Sequence, residues 1–328
     1  MAAEISKDKL LAMYRTMQTI RQFEERLRDL SKDGKIPGFV HVSIGEEASP
    51  TGVCAALTDE DYITSTHRGH GHLLAKGGKL KPMMAELFGK KTGYCKGKGG
   101  SMHIADFSIG ILGANGIVGA GLPIATGAGL SAKMRKSGQV AVCFFGDGAS
   151  NEGTFHESLN IASSWKLPVI FVCENNLYGE FTAGKDVTSV KDIADRARGH
   201  DMPGIIVNGN DVTEVYETTV QAVERARRGE GPSLIECKTY RWEGHVVGEE
   251  GFLGKRSYRS AEEIEEWKKR CPLIAFESRF LSRGMCTQTQ LDTIKAEVKR
   301  EIDEAVAFAQ ESPLPNAEEA LEDMFSVA

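Results

Sequence analysis

Leu10, Met13, Met17, Ile20, Phe23, Leu27 and Leu30 recur at three- and four-residue steps, with polar residues between them. That period puts them on one face of a helix, predicted over about residues 6–32 and ending near Gly34. Between Gly38 and Gly129 the pattern breaks up into glycine and histidine. Helical spacing returns there only around 46–57 and 80–88, with a short strand at Tyr62 to Ser65. Beyond this stretch the pattern changes in kind. QVAVCFFG (139–146) and PVIFVCE (168–174) are continuous apolar runs of buried-strand type, with GTFHESLNIASSWK (153–166) between them reading as a helix. GIIV (204–207) and SLIECKTYR (233–241) read as two more strands, separated by the helical pattern TEVYETTVQAVERARRG.

Strands alternating with helices imply an α/β architecture, a doubly wound, mostly parallel sheet with helices on both faces. Gly244 to Arg259 reads as a polar loop, followed by charged helices at about 260–270 and 287–310 and a tail, SPLPNAEEALEDMFSVA, with Pro313 and Pro315. The expected organisation is one domain over 1–328: an N-terminal helix to 34, a sheet core over 35–260, and C-terminal helices and tail over 261–328.

Composition narrows the function. Charged residues make up 26% and apolar residues 41%, the balance of a soluble globular chain. The net charge of −6, from 46 acids against 40 bases, disfavours a nucleic-acid partner. No run of 18 apolar residues and no signal-type apolar core occurs, so no membrane association is expected. Seven cysteines form no C-x-x-C pair, and Cys143, Cys173 and Cys237 fall in predicted strands. They read as reduced, structural residues, which points to the cytoplasm. Glycine is the anomaly: 36 residues, of which 20 lie between Gly34 and Gly129. Glycine crowded among apolar runs suggests backbone folded closely around a ligand.

Gly146-Asp147-Gly148 ends a predicted strand and precedes a predicted helix. Ligands of doubly wound sheets bind outside the carboxyl ends of strands. Glycine there permits close approach, a helix N-terminus favours an anion, and Asp147 offers a hard oxygen to magnesium. A plain capped turn explains the triplet equally well. The strand PVIFVCE then ends at Asn175-Asn176, with 26 residues between Gly148 and Asn175. One crossover helix and one strand fill that interval, so both motifs emerge at the same sheet edge. Gly-Asp-Gly followed by Asn-Asn at this distance resembles the thiamine-diphosphate signature.

The resemblance extends along most of the chain. IRQFEERL, GFVHVSIGEEA, TSTHRGHGHLLAKG, GKGGSMHIAD, GANGIVGAGLPIATGAGLSAK, the stretch from GDGASNEG to CENNLYG, KTYRWEGH and SYRSAEEIEEW resemble the alpha subunits of the heterotetrameric thiamine-diphosphate dehydrogenases. These are first components of 2-oxo acid and acetoin dehydrogenase complexes, and THRGHGH and GANGIVGAG are most similar to the acetoin type. The resemblance implies the diphosphate-type domain of the thiamine-diphosphate-binding fold. It implies thiamine diphosphate and Mg2+ as cofactors, the metal held by Asp147, Asn176 and the Tyr178 carbonyl. Gly148 and Ala149 would approach the phosphates through backbone N–H groups, Arg68 would contact the diphosphate, and Gly116 and Val118 would meet the aminopyrimidine ring.

His245 would lie near the diphosphate and the reacting centre, His41 would line the substrate side, and His67 and His70 would line the cofactor pocket. His245 and, second to it, His67 are the candidate proton carriers, as histidines near their ordinary pKa. The resemblance supplies only the diphosphate half of a site. A beta subunit carrying the activating glutamate is therefore expected in an alpha-2 beta-2 assembly. The implied reaction cleaves the carbon–carbon bond beside a carbonyl, in acetoin or in a 2-oxo acid such as pyruvate, and passes the acyl group to a lipoyl-bearing acyltransferase. Histidine at 67, where pyruvate-type relatives usually have tyrosine, leans towards acetoin. A biosynthetic relative with another acceptor stays open, because Glu180 and the loop after His245 depart from the family pattern. A nicotinamide site at Gly127 to Ala132 is disfavoured, since no strand clearly precedes it.

Overall fold

The computed structural model describes residues 5–254 and 257–323. The ends of the chain, and Lys255 and Arg256 of the predicted polar loop, lie outside the described residues. Helix α1 (Lys7–Lys32) follows the predicted period, with Leu10 through Leu30 buried along one face and the Ser6 hydroxyl accepting from the Lys9 N–H at its start. There follow α2 (Ala48–Ala55), β1 (Tyr62–Thr66), α3 (His70–Ala75), α4 (Leu80–Leu87), β2 (Ile111–Asn115) and α5 (Gly121–Arg135). Next come β3 (Ala141–Gly146), α6 (Gly153–Ser164), β4 (Val169–Asn175), a small hairpin of β5 (Tyr178–Gly179) and β6 (Thr182–Ala183), and α7 (Gly184–Val187). The remaining elements are β7 (Gly204–Asn208), α8 (Val212–Arg227), β8 (Ser233–Lys238), α9 (Glu250–Leu253), α10 (Ala261–Lys268), α11 (Pro272–Ser282) and α12 (Gln288–Glu311).

Six strands pair in parallel in the order β2-β1-β3-β4-β8-β7. The apolar runs in β3 and β4 are continuous because both faces are covered. Val142, Phe144, Ile170 and Val172 pack on the side of Phe23 and Leu27 from α1 and of Ile302 from α12. Cys143, Phe145, Phe171 and Cys173 pack on the opposite side, against Leu122 of α5 and Phe155 of α6. A third cluster joins the first half of α1 to α11 and the start of α12, where the Tyr14 and Phe276 rings stack 5.1 Å apart.

Several elements go beyond expectation, including α3, the β5–β6 hairpin, α7, and α9 inside the predicted polar loop, as well as β2 and α11. β2 is a strand hidden in Ile-Leu-Gly-Ala-Asn; its pairing with β1, not its side chains, makes it one. It precedes α5, but Gly127 to Ala132 lies inside that helix, so no glycine turn of nicotinamide type forms there. α11 lies in a stretch for which no element is predicted; Pro272 at its first turn starts the helix without needing an N–H partner. All seven cysteines are free, with Cys143, Cys173 and Cys237 buried. Among the described residues no helix is long and apolar enough to cross a membrane.

The order of the strands positions the site. From β1 the chain goes to one side for β2, then returns to the other side for β3. Helices therefore leave the carboxyl ends of β1 and β3 in opposite directions, and a crevice opens between them.

Candidate functional site

A cavity of about 420 Å³ occupies this crevice. Its wall takes Thr66, His67 and Arg68 from the end of β1, Asn115 to Gly119 after β2, and Gly146 to Ala149 after β3. Asn176, Tyr178, Arg241 and His245 follow β4 and β8, and His41 and Glu46 come from the segment before α2. Of the residues expected from sequence, Arg68, Gly116, Val118, Asp147, Gly148, Ala149, Asn176, Tyr178, His41, His67 and His245 are thus brought together.

His70 is not. It leads α3 and is fully buried, with Nδ1 bonded to the Glu24 carboxylate at 3.0 Å and Nε2 2.9 Å from the Ser101 hydroxyl. The reason is the turn between them: His67 lies in the turn after β1, whereas His70 begins α3 and its ring faces Glu24 of α1.

Asp147 sits at one corner, 5% exposed, and its Oδ2 has no hydrogen-bond partner. Burial raises its pKa to about 6. Gly184 passes close by; a Cβ there would stand 3.1 Å from Oδ2. The Asn176 amide donates to Glu46 Oε1 at 3.0 Å, which turns its own oxygen away from Glu46. A buried, unpartnered carboxylate oxygen in a cavity also lined by Asn176 and Tyr178, which offer an amide and a carbonyl oxygen, makes a donor set whose chemistry fits magnesium. The helix expected directly after Gly148 begins later, at Gly153; a 3-10 turn over Gly148–Asn151 comes first.

Two guanidinium groups face this corner. Arg68 is buried and donates from Nη1 to the Val42 carbonyl at 2.5 Å and from Nη2 to the His245 carbonyl at 3.1 Å. Burial lowers its pKa to about 10, which leaves it charged at neutral pH. Arg241 is fully buried and donates to Tyr258 Oη at 2.9 Å and to the Glu180 carbonyl at 2.5 Å, while its Nε has no partner. A fixed guanidinium with a free N–H suits a phosphate oxygen.

The opposite wall carries His41, His67 and His245. The His41 ring centroid lies 4.8 Å from each of the other two, which are 5.4 Å apart. Burial, reinforced by the Arg68 charge, lowers the pKa of His41 to about 2 and those of His67 and His245 to about 3. This corrects the expectation of near-ordinary values: without a bound anion these rings are neutral.

Glu46, Glu174 and Arg241 carry the site electrostatics but were given no role from sequence. Glu46 has one oxygen unpartnered, 3.9 Å from Arg68 Nε, and burial raises its pKa despite that arginine. Burial pushes Glu174 the same way, but His72, whose Nε2 lies 2.9 Å away, brings its pKa below the ordinary value. An acid closing the apolar run PVIFVCE was the available signal for Glu174.

The model of the family described as "Dehydrogenase E1 component" matches residues 15–318. The chain is 49% identical over 322 residues to the alpha subunit of acetoin:2,6-dichlorophenolindophenol oxidoreductase from Bacillus subtilis (strain 168), covering 98% of this chain and 95% of that one. It is 48% identical to the subunit of the same name from Cupriavidus necator, with 99% and 96% covered. The pyruvate dehydrogenase E1 component subunit alpha of Porphyra purpurea is 40% identical, with 98% and 94% covered.

Proposed function

Because this chain belongs to the dehydrogenase E1 component family, we propose that it is the alpha subunit of a thiamine-diphosphate-dependent dehydrogenase acting on acetoin. The observation that carries the cofactor assignment is the buried, unpartnered Asp147 Oδ2 in a cavity also lined by Asn176, Tyr178, Arg68 and Arg241. Asp147, Asn176 and the Tyr178 carbonyl hold Mg2+; Gly148 and Ala149 N–H groups and the two arginines hold the diphosphate. Gly116 and Val118 support the aminopyrimidine ring by their backbone. The fold is the diphosphate-type domain of the thiamine-diphosphate-binding family.

The cofactor supplies the electron sink for cleaving the bond beside a carbonyl. The chain's own residues bind it, orient it and handle protons. Neutral His245 and His67 accept hydrogen bonds from a substrate hydroxyl, and the two negative charges of a bound diphosphate restore part of their basicity. His41 lines the substrate side. Acetoin is favoured because its hydroxyl meets three neutral rings, and because the named relatives of highest identity quoted above act on acetoin.

A beta subunit completes the site in an alpha-2 beta-2 assembly. Ile117, 73% exposed, and half-exposed Val118 stand on the cavity wall, with exposed Ile124, Ile161 and Trp165 on and beside α5 and α6. Exposed apolar side chains next to a ligand cavity mark an interaction surface. The acyl product passes to a lipoyl-bearing acyltransferase, and the assembly works in the cytoplasm.

The test is co-expression with a beta-type chain, thiamine diphosphate and Mg2+, using 2,6-dichlorophenolindophenol as acceptor. Acetoin turnover exceeding that of pyruvate and branched 2-oxo acids is expected. Preference for pyruvate would move the assignment to a pyruvate dehydrogenase alpha subunit; full turnover by this chain alone would sink the half-site reading.

A further inference from the structure

The three histidines have a coordination geometry that the dehydrogenase reading does not use. Their ligand nitrogens all lie within 4.8 Å of one another, and they come from three separate segments converging on one cavity wall. His41 is 7% exposed, and its buried Nδ1 has no hydrogen-bond partner. An unpartnered ring nitrogen of this kind carries a desolvation cost that a ligand would relieve. We propose that His41, His67 and His245 form a three-nitrogen site for a soft divalent ion of the zinc class, and that this ion competes with the substrate.

Zinc bonds imidazole nitrogen at about 2.0–2.1 Å, which sets nitrogens about 3.4 Å apart around a tetrahedral ion. Ring rotations that move the nitrogens by about an ångström close the present spacing to that value, with the His245 backbone held by Arg68 and Glu249. The cavity leaves the fourth position open to water, as in zinc sites with three protein ligands. Imidazole binds a metal only when neutral, and burial keeps all three rings neutral at neutral pH. Arg68 and Arg241 both oppose a cation here, and the Glu46 carboxyl, its Oε2 3.9 Å from Arg68 Nε, offsets part of that charge when ionised. The result is a site loaded reversibly when free zinc rises.

Competition with substrate, but not metal binding itself, rests on the function proposed above. The first arm titrates CoCl2 into the full chain assembled with its beta chain, free of cofactor and treated with chelator. One equivalent of cobalt giving a tetrahedral visible band is expected. His41→Ala and His245→Ala should each weaken binding by more than the roughly 10–100-fold typical of losing an outer-sphere partner. His156→Ala, on the surface beside His200 with ring centroids 5.8 Å apart, should leave it unchanged. Absence of a saturable band, or a band that survives both cavity substitutions, overturns the site.

The second arm adds ZnCl2 to the turnover assay with Mg2+ and thiamine diphosphate saturating. A rise in KM with kcat unchanged is expected; a fall in kcat at constant KM overturns the competition. If no carbonyl substrate turns over, the dehydrogenase reading fails while the cobalt result still decides the metal site.

Discussion

Buried acids in this protein behave in two ways, and adjacent residues show both. Glu47 belongs to the scaffold: its carboxylate takes Arg21 Nε at 2.6 Å and Nη2 at 2.9 Å, plus the Gly45 N–H at 2.8 Å. Glu86 accepts four backbone N–H groups, from Cys95, Gly97, Gly99 and Gly100. Glu46, next along the chain from Glu47, has an oxygen with no partner, and so does Asp147. Both face the same cavity as the unpartnered His41 Nδ1 and Arg241 Nε. A buried polar atom left unpaired costs about 1–3 kcal/mol. Among the described residues four such atoms belong to the lining of this one cavity, while the others, on Thr51, His200, Arg225, Tyr240, Trp242 and Glu319, lie outside it. Four in a single cavity is the pattern of a site organised for a ligand that supplies the missing partners.

The comparison breaks first at its scaffold end. Arg21→Ala would strand Glu47 without its ion pair and should lower unfolding free energy by about 3–5 kcal/mol. Urea denaturation measures this; a loss near the ~1 kcal/mol of a surface pair would show that Glu47 is not a scaffold acid.

Asp147→Asn should act in the opposite direction. Because its pKa is about 6 when folded against 3.8 ordinarily, Asp147 destabilises the apoprotein fully above pH 6 and not at all below 3.8. The substitution should therefore stabilise the apoprotein at pH 7.5 by up to about 3 kcal/mol. Mg2+-dependent binding of thiamine diphosphate should be lost at the same time. Calorimetry reads both, and unaltered cofactor binding would remove Asp147 from the metal set.

The histidine wall predicts a pH dependence. Three rings whose folded pKa values lie well below the unfolded 6.5 cost nothing above pH 6.5. As pH falls from 6.5 towards 3, the unfolded state takes up protons that the folded state refuses. Stability should drop by up to about 1.4 kcal/mol per pH unit per ring, less for the more exposed His245. The Asp147 and Glu46 effects run the other way, because burial raises both carboxyls, so the rings are read from the difference between wild type and a histidine variant rather than from the raw slope. His41→Gln should flatten the slope in melting curves between pH 6.5 and 5; an unchanged slope would mean the rings titrate normally.

The smallest effect is a scaffold control. Thr287 caps α12 through a reciprocal box with Gln290. Thr287→Ala should cost about 1 kcal/mol while leaving cofactor affinity unchanged. A change in affinity would show that the scaffold and cavity are not separable.

Much of this was legible from the chain. The α1 period, the two buried runs of β3 and β4 and the α8 pattern forecast their elements, because burial imposes a 3.6-residue or continuous apolar signal. Asp147 and Asn176 stood out because their motifs end strands, where a parallel sheet must place ligands; Arg68 and His245 were named through the family resemblance alone. β2 was missed because its five residues carry no strand signal without β1 beside them. His70 falls outside the cavity because the turn at His67–Gly69 redirects the chain into α3, though only three residues separate the two histidines in sequence.

The sequence by itself therefore determined the periodic helices and the continuous apolar strands, which of those strand ends carry polar residues, and which family the chain resembles. These are local properties: periodicity, run length and motif spacing need no knowledge of distant contacts. Only the tertiary structure decided which polar groups meet and which remain unpaired. Convergence of His41, His67 and His245, the rescue of Glu47 by Arg21 and the isolation of Asp147 Oδ2 all depend on segments far apart in the chain. Desolvation arises only when those segments close over one another, and the electrostatic character of the cavity arises with it.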